Sequence, residues 1–233
     1  MRTGRALSET GTSPSPRRAR ARRGEGERLR SEILAATERL LVQTGDLEAV
    51  SIRAVADAVG ISPPSIYLHF ADKNELLWAV CERHFAALDE VIEQAAAGIA
   101  DPIESLLLRG RAYIRFGVEN PEPYRILFMS KPTATPENFP PERILQSAAF
   151  DHLVQAVVRA IAAGDLAGDP TIVSIGLWAA VHGITSLFIS KPDFPWPDKD
   201  QVIDRLLWTQ IEGLATPKAR RRLPRIEAER GPR

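Results

Sequence analysis

The stretch Ser51–Leu76, SIRAVADAVGISPPSIYLHFADKNEL, reads as two short helices joined by a glycine turn, followed by the start of a third. Ser51 suits an N-cap, because its hydroxyl can accept a hydrogen bond from a first-turn amide. Ile52, Val55, Ala56 and Val59 recur at helical spacing and form one apolar face. Gly60 stops that helix, since glycine takes the left-handed conformation a helix end needs. Ser62 is the expected cap of the next helix, over 62–69, with Pro63 at its first position, where the missing amide does no harm. Ile66, Tyr67 and Phe70 are its expected buried side. A helix-turn-helix of this kind places its second helix in the DNA major groove.

Gly60-Ile61-Ser62, Ile66-Tyr67-Leu68-His69-Phe70 and Asp72-Lys73-Asn74-Glu75-Leu76 follow one another in a dense, ordered pattern. It resembles the signature of the TetR (tetracycline-repressor) family of bacterial regulators, with Ile61 a mild variant. The resemblance implies an all-α protein: a three-helix DNA-binding domain over 24–71, and a helical ligand-binding and dimerisation domain over 72–215. It also implies that the helix from Ser62 lies across base edges, with Pro63, Pro64 and Ser65 facing them. The prolines lack side-chain donors and can make only apolar contacts, for example to thymine methyls. Ser51, Arg53, Tyr67, His69 and Lys73 match positions that hold phosphates in that family.

Working outward, the periodicity predicts nine helices in all. The first covers Glu25–Thr44, carrying Leu29, Ile33, Leu34, Ala36, Leu40 and Leu41. Asp72 caps a long fourth helix to about Ala97. Asp101-Pro102 restarts a helix to about Glu119, and a short one covers Pro123 to Met129. Lys131 to Pro141 is a proline-rich loop. The last three helices are expected over 142–163, 170–190 and 199–214. Leu177 to Ile184, LWAAVHGI, is similar to the Trp-His-Gly C-terminal domain of one branch of these regulators. Trp178 and His182 share a helix face, and Gly183 is expected to let another helix backbone approach.

The ligand cavity implied by the family would be lined by Phe85, Leu88, Tyr113, Phe116, Phe128, Phe150, Val154, Trp178 and His182. The expected partners are a palindromic double-stranded DNA operator, a small-molecule effector and a second copy of the chain. The dimer would pair the last two helices with their mates. Their expected contact faces are Leu177, Val181, Ile184, Leu187 and Phe188, and Val202, Ile203, Leu206, Leu207, Ile211 and Leu214. The function implied is a ligand-released repressor, with activator action left open.

Charge is uneven along the 233 residues although its sum is zero. Residues 1–30 hold nine arginines against three glutamates, and 216–233 hold seven basic residues against two glutamates, around an acidic body. The segment 1–23 is expected to be a disordered basic arm, whose Arg17, Arg18, Arg20, Arg22 and Arg23 could reach DNA. The segment 216–233 is read as a solvated basic tail. A second reading is a non-specific nucleic-acid binder driven by these ends. A third is a helical enzyme using His152 and His182. No Gly-x-Ser-x-Gly elbow, phosphate loop, H-E-x-x-H or cysteine pair accompanies these histidines, so no catalytic residue, cofactor or metal site is assigned. The single cysteine, Cys81, suits a reducing cytoplasm. No apolar run is expected to be long enough to cross a membrane.

Overall fold

The computed structural model describes residues 25–129 and 147–223. The expected arm of 1–23, the loop of 131–141, residues 142–146 of the seventh expected helix and 224–233 of the tail lie outside the described residues. The helices are α1 (Glu25–Thr44), α2 (Ile52–Val59), α3 (Pro63–Ile66), α4 (Lys73–Ala95), α5 (Pro102–Glu119), α6 (Pro121–Phe128), α7 (Ala148–Ala162), α8 (Pro170–Ser190), α9 (Lys199–Leu214) and α10 (Pro217–Arg220). Among the described residues there is no β-strand, only an isolated antiparallel bridge between Leu166 and Ala215.

The boundaries follow from capping chemistry. Ser51 Oγ accepts from the Ala54 amide at 3.1 Å, and Gly60 closes α2 at φ +77°. Asp72 Oδ1 accepts from the Glu75 amide at 2.8 Å, while the Glu75 carboxylate reaches back to the Ala71 amide. The two contacts pair backbone donors that the start of α4 would leave unsatisfied. Asp101 caps α5 through the Ile103 and Glu104 amides at 2.9 and 3.0 Å. Ser62 departs from expectation. It has the extended backbone of a cap, but its hydroxyl pairs with Ser65 Oγ at 2.8 Å instead of with a backbone amide. The following helix is also shorter than expected: α3 ends at Ile66, and a turn carries the chain through the Phe70 amide, bonded to Ile66 O at 3.0 Å.

Two apolar cores result. The first joins α1, α2, α3 and the start of α4 through Ile33, Leu41, Val55, Ile66, Phe70, Leu76 and Val80, and takes in Ile126 from α6. The head therefore shares its core with α4, which continues into the second core. That second core gathers Leu88, Ile114, Tyr124, Val157, Phe188 and Leu207 from α4 to α9. Two glycines on α5 allow this packing. A Cβ on Gly117 would fall 2.3 Å from Thr185 Cγ2 and 2.8 Å from Tyr124 Cδ2, and one on Gly110 would fall 2.6 Å from Leu207 Cδ2. Close approach was expected at Gly183, yet nothing lies within 4 Å of a Cβ built there. The intimate contact is made from the α5 side.

Two further expectations are corrected. The start of the supposed solvated tail is docked: Ala219 and Leu223 are buried, and Thr216 Oγ1 donates to Gly164 O at 2.7 Å. Arg222 pairs with the buried Asp165 at 2.8 Å and with Asp101 at 3.1 Å. An apolar residue every four positions and a buried carboxylate draw in a segment whose composition reads as basic. The 21-residue helix α8 is also long and apolar enough, with mean hydropathy 1.8 over an 18-residue window, to meet the length and composition of a membrane span. It packs instead on α5, α7 and α9.

Candidate nucleic-acid interface and effector cavity

The residues expected at DNA lie along the surface from the start of α2 to the start of α4. Ser51, Arg53, Ser62, Pro63 and Pro64 are exposed, and Ser65, His69 and Lys73 are partly so. Tyr67 was expected on the buried side of α3 with Ile66 and Phe70. Those two are buried, but Tyr67 is 53% exposed, because α3 ends before it and the turn carries its ring outward. Leu68, which sequence reasoning passed over, is 84% exposed beside it. An exposed leucine next to two prolines and a tyrosine gives a mostly apolar reading surface. Ser65 supplies its hydroxyl, already shared with Ser62. Lys73 is engaged: its Nζ lies 3.2 Å from Glu48 O and 3.3 Å from Glu48 Oε2. Arg30 stacks over Phe70 at 4.9 Å and supports the turn from the α1 side.

In the second core, residues of α4 to α9 line a cavity of about 80 Å³. Phe85, Leu88, Tyr113, Phe128, Phe150 and Trp178 line it, as placed from the sequence. Phe116, Val154 and His182 do not. Phe116 is packed into the core and Val154 is partly buried on another side of α7. The reverse error is larger. Leu177, Val181, Leu207 and Ile211, assigned to a dimer face, line the cavity, and Ile92, Leu106, Leu107, Gly110 and Leu153 join them. Arg109, also in the lining, was missed altogether.

His182 serves a polar knot beside the cavity. Tyr124 Oη lies 2.6 Å from His182 Nδ1 and 3.2 Å from Tyr113 Oη, and Trp178 Nε1 donates to Tyr113 Oη at 3.2 Å. Burial lowers the His182 pKa and raises those of both tyrosines, so all three remain neutral at pH 7. The ring nitrogen is paired within the fold, and His182 is partly buried beside the cavity without lining it.

His152 belongs to a different cluster. Its Nδ1 is 2.9 Å from Asp89 Oδ1 and 3.7 Å from Glu93 Oε1. The Asp89 contact raises its pKa. Arg109 meets Glu93 with both terminal nitrogens, one of them at 3.0 Å, and holds the Glu93 carboxyl below its usual pKa. Asp89, Glu93 and His152 place ligand-type atoms within 4.8 Å of one another. The guanidinium on Glu93 makes this an ion-pair network, since a cation there would meet its repulsion. Asp151, next to His152 in sequence, is exposed and adds a lesser upward push to that histidine's pKa through its charge. Cys81 is buried, which pushes its thiol up to about 12 and leaves it unreactive.

A head with a helix-turn-helix, joined by one long helix to a helical body with an apolar cavity, defines the tetracycline-repressor class. Two family models agree: the tetR-family bacterial regulatory protein domain matches residues 33–80, and the tetracyclin repressor-like C-terminal domain matches residues 106–214. The chain belongs to the TetR family. It is similar to the transcriptional activator FasR of Mycolicibacterium smegmatis, with 27% identity over 56% of this chain and 59% of that one. It is also similar to the transcriptional regulator EthR of the same organism, 30% identical over 45% of each chain. The chain thus spans about half the length of these curated relatives. A solved structure of a protein with unknown function from Rhodococcus sp. RHA1 superposes with TM-score 0.66 at 27% identity, covering 81% of this chain and 96% of that one.

Proposed function

We propose that this protein is a DNA-binding transcriptional regulator that grips a palindromic operator as a homodimer and is released by a small molecule. The observation that carries this reading is the single helix α4. It starts beside the expected DNA surface at Lys73 and lines the cavity through Phe85, Leu88 and Ile92. A ligand that favours one position of α4 shifts the population of DNA-competent molecules. Repression is the simpler mode, since an occupied operator needs no further contact to block transcription. The relative FasR is named as an activator, and the same head serves either outcome.

The dimer face is reassigned. Ile172, Ile175, Gly176, Ala179 and Leu187 form an exposed stripe on α8, with Gly183 partly exposed beside it. Val202 and Leu206 remain partly exposed on α9. Small residues along α8 let a second helix pack closely. In this reading the head is 24–71, the effector and dimer body begins at 72, and the protein acts in the cytoplasm without catalysis. The basic segment before α1 adds non-specific affinity.

The test is selection of bound sequences from random DNA, followed by competition binding at fixed salt. A palindromic site preferred over random DNA by about 10³-fold or more is the expected result. Equal binding to random DNA, lost on removal of residues 1–23, would overturn it in favour of a tail-driven binder.

A further inference from the structure

Among the described residues that line the cavity, Arg109 alone carries a charge. It is 7% exposed, on α5, with its Nε 3.4 Å from Ser105 Oγ and its terminal nitrogens on Glu93 of α4. An arginine buried in an apolar wall requires a partner of opposite charge. Its planar fork suits two carboxylate oxygens at once. Glu93 supplies them here, but its own side chain is 36% exposed. A carboxylate that reaches Arg109 from inside the cavity can therefore displace one that water can solvate again. His152, 3.7 Å from Glu93, stands ready as the displaced group's second partner.

We propose that the effector is an apolar carboxylic acid whose carboxylate takes Arg109 from Glu93, while its body lies among Phe85, Leu88, Phe128 and Trp178. This rests on the regulator reading for its purpose, not for its chemistry. A neutral ligand leaves the Arg109–Glu93 pair intact, and an amine meets the guanidinium with like charge. The exchange also explains how occupancy is felt at a distance. The Arg109–Glu93 pair ties α5 to α4, so the ligand that breaks it loosens the helix leading to the head.

The test is equilibrium dialysis of the full chain, without DNA, against short straight-chain acids of four to eight carbons, sizes nearer to a cavity of about 80 Å³. The matching alcohols, amines and alkyl phosphates are the other arms. At least one acid should bind about tenfold or more tighter than its alcohol and amine. Arg109→Gln should erase that preference. Glu93→Gln should strengthen acid binding severalfold and leave alcohol binding unchanged, a gain that loss of folding cannot mimic. Alcohols binding as tightly as acids, no acid binding at all, or an unchanged Glu93→Gln would overturn the proposal. An alkyl phosphate preferred over every acid would overturn the carboxylate in favour of a phosphate. Operator binding is measured separately. A chain that selects acids but not an operator sinks the regulator reading alone; one that selects an operator but not acids sinks only this one.

Discussion

At the scale of single residues, charge partners decide what is available for function. Lys73 is expected on a phosphate, yet Glu48 holds it at 3.3 Å. Both side chains are partly exposed, so the pair is worth about 0.2–1 kcal/mol. DNA must break it. Glu48→Gln should therefore tighten operator binding by about 1.4- to fivefold, the same energy expressed as a ratio. A gel-shift titration checks this; weaker binding would place Lys73 off the DNA. His84 provides a pH prediction. Burial, and secondarily Arg83, lowers its pKa from 6.5 to about 4. Glu38 lies 3.3 Å away, but Arg83 also pairs with it and His84 Nε2 makes no hydrogen bond. The folded chain thus binds the His84 proton later than the unfolded chain does. Stability from this group is complete above pH 6.5 and is lost as pH falls towards 4. His152, raised instead, acts in the opposite sense, its contribution growing as pH falls through 6.5, so the His84→Leu chain is the reference that isolates the His84 slope. Urea midpoints at pH 6.5 and 4.5 should converge in His84→Leu and separate in the wild type.

At the scale of elements, the packing of α5 on α8 is the feature most exposed to change. Gly117→Ala adds helix propensity of about 1 kcal/mol. The new methyl would meet Thr185 and Tyr124 well inside contact distance. Overpacking of about 1–3 kcal/mol should win, and part of it should appear as a shift of Tyr124 away from His182. Thermal unfolding of Gly117→Ala beside Gly183→Ala separates the effects, because nothing in the protomer lies within 4 Å of a Cβ on Gly183 and alanine there adds no clash inside the chain. The pattern shows what one chain's letters can carry. Caps such as Ser51, Asp72 and Asp101 act on neighbours three residues away, so they were legible. So was the amphipathic α1, whose polar side contrasts with its apolar one. In α8 no Asp, Glu, Lys or Arg interrupts the 21 residues. Without that contrast, inward and outward faces cannot be told apart, and Val181 and Phe188 were assigned outward. Arg109 was invisible for a related reason: an arginine in a helix reads as surface until its partner across the fold is known.

At the scale of the whole molecule, the proposed dimer rests on the α8 stripe. Ile172 is 72% exposed, Leu187 47% and Ile175 42%, on a helix whose other side is core. A charge placed there disturbs only what lies outside the protomer. Ile175→Glu should yield a folded monomer by sedimentation velocity, with operator affinity lower by at least about 10²-fold, since a palindrome is gripped by two heads. Leu207→Glu, which the sequence alone would equally have chosen, should unfold the body because Leu207 lines the cavity. A dimeric Ile175→Glu would move the interface elsewhere.

In the proposed dimer, the uncharged stripe of α8 also gives the protein a gauge of its own abundance. One side of that helix is covered within one chain; the exposed side stays wet until a second chain arrives. Mass action then makes the melting point climb with concentration. On that reading a cell holding few copies would keep them as monomers more open to proteolysis, and a cell holding many would keep them paired. The threshold between those regimes, set by an apolar surface far from the DNA, fixes how much of the chain must be synthesised before any operator is occupied.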